Sequence, residues 1–325
     1  MFDGIRLEQL VVDERHLIRH LGIKIPLEEE TGEIRYDLPT YIKWHNGLRV
    51  QGRPRPPGSA KGRYCFQLRG SLIKAANQGE HNRYGKNPSE ILAVLDELAT
   101  GWGIDPFRTP INNLELSMTW PVAGAEVLPE RFLLYLNRKP VVDSKRVDGV
   151  DMPYVKVKCG QHVLKLYVPV AGHLRFELKA HTMQFLGQAR PKVLADLARP
   201  QFAPCLAQKV TVAFEKILWT LPVLDAHQLP VEESRLYQEG RVAQYWLVDR
   251  KQFDCEADFK RVERQRHREK LRFRALVDRY WTGEPLAELK KQLEANLADY
   301  MAQMHSKPYQ QQLTDCWDRW KILFP

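Results

Sequence analysis

Val163-Leu164-Lys165-Leu166-Tyr167-Val168 and Leu174-Arg175-Phe176-Glu177-Leu178-Lys179 decide the fold class. Both alternate apolar and polar residues with period two, the pattern of strands. The link Pro169-Val170-Ala171-Gly172 between them is short enough for an antiparallel hairpin. Asn113-Leu114-Glu115-Leu116-Ser117-Met118-Thr119-Trp120 repeats the pattern and predicts a half-buried strand. Tyr64–Ile73 is a further strand. Asn87-Pro88-Ser89-Glu90 opens a helix, because Asn caps, Pro takes the first turn and Glu completes a capping box. Ile91, Val94, Leu95 and Leu98 form its apolar face and Gly101 ends it. Pro129–Leu136 reads as a short helix.

Beyond residue 190 the pattern turns helical, with helices expected over Pro191–Leu197, Pro204–Leu218, Glu232–Val248, Glu256–Tyr280, Pro285–Gln303 and Pro308–Leu323. The expected fold class is therefore α+β. Residues 1–190 form an antiparallel-sheet domain and 191–325 a mainly helical, DNA-binding or accessory domain.

The chain has 325 residues, 44% of them hydrophobic and 27% charged, values of an ordinary globular protein. Its longest apolar runs, such as Ile91–Leu95, fall far short of the ~20 residues that span a bilayer. Met1-Phe2-Asp3-Gly4-Ile5-Arg6 lacks the form of a signal peptide, so a cytoplasmic protein with no membrane partner is expected. The five cysteines are scattered without CxxC spacing, which argues against disulfide frameworks and thiolate zinc sites. The formal net charge is +9. Eight basic residues against Glu263 and Glu269 crowd into Lys260–Arg274, making nucleic acid the leading partner class. With so few acids at i+4, this helix is expected to stand out from the body. Arg264, Arg268, Lys270 and Arg272 would then meet phosphates.

Alternation places Glu115 opposite its apolar neighbours, Arg175 and Glu177 on one face of their strand, and Lys165 and Tyr167 likewise on one face of theirs. If the strands adjoin, two carboxylates, a tyrosine, an Arg and a Lys share a surface. Paired carboxylates hold Mg²⁺ or Mn²⁺, the cations of phosphate chemistry, and a nearby tyrosine can serve as nucleophile. A solvated sheet face of ordinary charged residues is the plain alternative. Lys74, His81 and Asn82 lie on a loop after the first long strand, where His81 offers a metal ligand or a phosphate contact. Tyr84 and Trp120 offer rings to melted bases, although core packing is the more ordinary role for Trp120. The chain has no GxxxxGK[ST], GxGxxG, HExxH or GxSxG motif.

The ordered set Leu68-Arg69-Gly70-Ser71-Leu72-Ile73-Lys74, Asn77-Gln78-Gly79-Glu80-His81-Asn82, Asn113–Leu116, Leu164–Tyr167, Leu174–Lys179, Met183–Leu186 and Leu194–Leu197 resembles the phage and plasmid replication proteins of the filamentous-phage gene II/X type. The resemblance covers residues 65–200. It implies a Rep-like nuclease domain that starts rolling-circle replication by nicking one strand at an origin. Tyr167 would be the nucleophile, forming a 5′-phosphotyrosine and a free 3′-OH, with rejoining by the reverse reaction. Glu115, Glu177 and His81 would hold Mg²⁺ or Mn²⁺. Lys165 and Arg175 would assist catalysis, and Lys74 and Asn82 would contact DNA. The implied partners are an origin, as single strand or hairpin, and the host helicase and replication machinery. The chain departs from the family pattern at Ile73, where many relatives carry His, and at Val168-Pro169, where many carry Asp-Lys. A non-catalytic DNA-binding regulator and a transposase are the alternative readings.

Overall fold

The computed structural model describes residues 1–23, 41–55, 64–80, 84–147, 150–188, 190–220, 229–280 and 286–325. In chain order the elements are β1 (Phe2–Leu7), α1 (Glu14–Leu21), β2 (Tyr41–His45), β3 (Leu48–Pro54), β4 (Tyr64–Ser71), α2 (Leu72–Ala76), α3 (Pro88–Thr100) and β5 (Asn113–Pro121). They continue as β6 (Phe132–Tyr135), β7 (Val141–Val147), β8 (Val150–Lys158), β9 (His162–Val170) and β10 (His173–Ala180). The remainder is α4 (Ala203–Glu215), β11 (Ile217–Trp219), α5 (Val231–Gly240), α6 (Ala243–Trp246), α7 (Glu256–Tyr280), α8 (Leu286–Met304) and α9 (Lys307–Leu323). The fold is α+β. No helix among the described residues is long and apolar enough to cross a membrane.

The chain forms two compact units, each discontinuous in sequence. Unit 1 comprises Met1–Met118, Glu177–Lys209 and Asn296–Pro325; unit 2 comprises Thr119–Phe176 and Val210–Ala295. A single cut near residue 190 does not separate them. Helix α9, expected in the C-terminal domain, belongs with the N-terminal strands, because its apolar stripe is buried against α3.

In unit 1 the strand order is β2-β3-β4-β1-β5-β10. Phe2, Leu68, Leu114, Leu116 and Leu178 are almost wholly removed from water. The ring of Phe2 meets Tyr300 of α8 edge-on at 6.3 Å. Asp96 of α3 accepts hydrogen bonds from Arg319 (2.7 Å) and from the indole of Trp320 (2.8 Å), fixing the register of α9 on α3. Strand β5 is buried on both faces from Asn113 to Met118, not on one face as alternation suggests. Glu115 and Ser117 are therefore interior polar residues, which require partners.

In unit 2 the order is β10-β9-β8-β7, and β6 pairs with β11 in a separate two-stranded sheet. Pro129–Leu136 is not a helix. One 3₁₀ turn (Pro129–Arg131) leads into β6, whose Phe132, Leu134 and Tyr135 pair with Trp219, Leu218 and Ile217. Tertiary pairing overrides local propensity there. The same pairing ends α4 at Glu215, short of the expected Leu218. Trp120 is buried and packs near Phe214, so it presents no ring to a base.

Helix α7 does not stand out along its whole length. Its second half buries Phe273, Leu276 and Val277 in a core with Leu134, Leu236 and Trp246.

The capping box of α3 yields a direct test. Asn87 Oδ1 accepts the Glu90 amide at 2.9 Å, and Glu90 Oε2 accepts the Asn87 amide at 3.0 Å. Asn87→Ala should destabilise this helix by about 1 kcal/mol. Amide exchange across Leu92–Leu98 should accelerate accordingly, while exchange in β8 stays unchanged.

Candidate functional site

The site begins with an irregularity in β1. Phe2 pairs with Leu116 and Ile5 with Leu114, so β1 uses one more residue than β5 over the same span. That is a β-bulge, in which Asp3-Gly4 opposes the single residue Glu115. Phe2, Ile5, Leu114 and Leu116 keep to the apolar face, which leaves Asp3 on the side of Glu115. Gly4 is needed at the bulge: a Cβ there would lie 2.9 Å from the Cβ of Glu115. Strand β10, the other neighbour of β5, supplies Glu177.

Carboxylate oxygens of Asp3, Glu115 and Glu177 all lie within 4.8 Å of one another. The residues are 1%, 7% and 2% exposed. Ser71, which caps α2, donates its hydroxyl to Asp3. Lys179 Nζ lies 3.5 Å from Glu115 Oε2. Three carboxylates so close in a dry interior repel one another. Oxygen ligands at this spacing suit a hard divalent cation, which would retain positions for water or a phosphate oxygen.

The structure thus brings Glu115 and Glu177 together and adds Asp3, which the pattern analysis passed over. An Asp-Gly inside the apolar run Phe2–Leu7 was the available signal, since glycine within a strand marks a bulge or a close approach. His81 and Asn82 lie outside the described residues. Lys74 is half-buried on α2, and Ile73 is buried in the core.

In unit 2, Tyr167 of β9 is buried and pairs across the ladder with Tyr154, ring centroids 5.5 Å apart. Lys165 pairs with Lys156 on the same two strands. Arg175 is fully buried and donates to Thr119 Oγ1 at 3.2 Å, so its cation is an internal one. The Tyr135 hydroxyl lies 2.9 Å from His162 Nε2, and burial, with a smaller contribution from Cys159, pushes its pKa well up. That disfavours Tyr135 as a phenolate nucleophile.

The basic residues of α7 divide into two sets. Arg272 is paired with Glu232 and Arg279 with Glu233, both on α5, while Lys260, Arg261 and Arg266 pair with Glu256, Asp258 and Glu269. The i+4 count misses several of these partners because they come from another helix or from i±3. Arg272 therefore has a carboxylate partner at the docked end of the helix. Among the described residues no carboxylate lies within ion-pair distance of Arg264 or Arg268, and both are exposed.

Comparison with protein-family models, curated proteins and solved structures finds no match to this chain.

The carboxylate cluster predicts that Mn²⁺ at millimolar concentration raises the melting temperature of the protein. Glu177→Gln should abolish that rise. Gly4→Ala should weaken it by displacing Glu115, although it removes no ligand. An equal Mn²⁺ response in wild type and Glu177→Gln would place the metal elsewhere.

Proposed function

We propose that this chain is a divalent-metal-dependent DNA strand-transfer enzyme, a nickase that initiates rolling-circle replication. The observation that carries the reading is the buried Asp3/Glu115/Glu177 cluster. Two of its three members belong to the strand motifs on which the resemblance to the gene II/X-type replication proteins rests.

In this reading Asp3, Glu115 and Glu177 would hold Mg²⁺ or Mn²⁺, which would supply polarisation of the scissile phosphate and stabilisation of the charge on its oxygens. Tyr167 is the nucleophile. Its phenolic oxygen forms a bond to phosphorus as the P–O3′ bond breaks, leaving a 5′-phosphotyrosine and a 3′-OH. The phenolic proton passes to solvent and the 3′ oxygen takes up another, and the reverse reaction rejoins the strand. Lys165 supports the reaction by its charge, and Arg264, Arg268 and Lys270 hold DNA phosphates. The expected partner is an origin as single strand or hairpin, with host helicase and replication proteins acting afterwards.

One observation favours a second reading. Ile73 occupies a position where many relatives of the resembled family carry histidine, and it is 1% exposed. A buried isoleucine offers neither ligand nor phosphate contact, as expected of a regulator that binds DNA without cutting it.

Supercoiled plasmid carrying the cognate origin separates the readings. With Mn²⁺, wild-type protein should yield open circles bearing protein on the 5′ end. Tyr167→Phe should lose the covalent adduct while binding DNA within about twofold of wild type. Asp3→Asn, Glu115→Gln and Glu177→Gln should each lower nicking by at least about 10²-fold, within the range for loss of electrostatic stabilisation. Persistent nicking without an adduct would replace Tyr167 by a metal-activated water. Origin binding with no nicking would establish the regulator.

A further inference from the structure

A cleft of about 800 Å³ opens in unit 2 beside the first half of α7. Arg264, His267, Arg268 and Lys270 line one side, and Leu247 and Val248, which follow α6, line the other. The volume is that of a small-ligand site.

The charges on its wall are unbalanced. Arg264, Arg266, Arg268 and Lys270 face it together with the carboxylates of Glu263 and Asp249. Asp249 accepts the Lys251 amide as a cap (3.0 Å), and Arg266 is matched by Glu269 (2.7 Å). Arg264 and Arg268 stand one helical turn apart and repel each other. Lys270 donates to Asn137 and lies 6.0 Å from the centroid of the Trp246 ring. Burial and the nearby Arg274 lower its pKa, so an anion in the cleft would relieve the cost of its charge.

Arg266 is built differently from its neighbours. Its guanidinium carbon sits 3.7 Å from the centroid of the Tyr245 ring. Glu269 Oε2 accepts from both the guanidinium (2.7 Å) and the Tyr245 hydroxyl (2.9 Å). The side chain is thus held as a flat platform, a surface on which a nucleobase can stack. Phosphate-binding arginines next to a fixed stacking plane fit a strand with unstacked bases. A duplex keeps its bases inside and presents a convex surface that does not enter a cleft of this size.

We infer that the cleft binds single-stranded DNA, with Arg264 and Arg268 on phosphates and Arg266 beneath a base. The inference rests on the reading of the chain as a DNA-strand enzyme and names the form of DNA that α7 receives.

Fluorescence anisotropy with the full chain, a dT12 oligonucleotide and a 12-base-pair duplex, in EDTA, tests it. Arg264→Gln/Arg268→Gln should weaken dT12 binding at least tenfold and lower the log–log salt slope by about 0.7 per lost contact. Duplex affinity should change less than twofold. Lys260→Gln/Arg261→Gln removes the same charge outside the cleft and should leave dT12 affinity within twofold of wild type. Arg266→Lys, which keeps the charge and loses the platform, should cost fivefold or more for dT12. Unchanged dT12 affinity in the cleft variants, or equal loss for duplex and dT12, overturns the inference. Parallel plasmid assays keep the two readings distinct. Nicking by wild type together with unaffected dT12 binding by the variants sinks the cleft alone. A wild type that leaves plasmid supercoiled, with variants that lose dT12, sinks the nickase and keeps the cleft.

Discussion

The extra residue in β1 is the constraint on which the candidate site depends. Had β1 paired with β5 without a bulge, strict alternation back from Ile5, which opposes Leu114, would have set Asp3 on the apolar face opposite Leu116, since each one-residue shift reverses every side chain. The bulge at Asp3-Gly4 keeps Phe2 and Ile5 both on the apolar face and sets an aspartate beside Glu115. Glycine at the second bulge position lets the Glu115 side chain lie over the β1 backbone. Three buried carboxylates are costly to fold, and a core of leucines at Leu114, Leu116 and Leu178 holds them in place. Such an arrangement suits a site whose chemistry supplies the compensating charge.

Much of the fold was legible in the sequence where local signals and tertiary context agree. Period-two alternation located β5, β9 and β10, and the Asn-Pro-Ser-Glu cap located the start of α3. The helices α7, α8 and α9 fall within a residue or so of their expected bounds. Where context prevails, the pattern misleads. Phe132–Tyr135 comes one turn after Pro129 and contains Leu-Leu, yet its pairing with β11 makes it a strand. The discontinuous units are illegible for the same reason, since burial of the α9 stripe against α3 is a long-range fact.

The site was half legible. Glu115 and Glu177 announce themselves as carboxylates flanked by leucines or aromatics, and burial of both faces of β5 and β10 makes them interior. Asp3 carries no such periodic signature, because a bulge breaks the periodicity that would reveal it. On α7, counting charges along one helix overstated the free cations, since Glu232 and Glu233 come from α5. Arg264 and Arg268 remain exposed without a carboxylate partner among the described residues, and they line the cleft. The helix has two unlike halves, one that buries Phe273, Leu276 and Val277 in the core of unit 2 and one that is basic and largely exposed.

The central claim is that Asp3, Glu115 and Glu177 form one divalent-cation site. A crystal soaked in Mn²⁺ and measured for anomalous scattering tests it most directly. The account predicts a single strong peak in contact with carboxylate oxygens of all three residues, lost in Glu115→Gln crystals. Clear density for the three side chains with no peak between them, under Mn²⁺ well above millimolar, would contradict it.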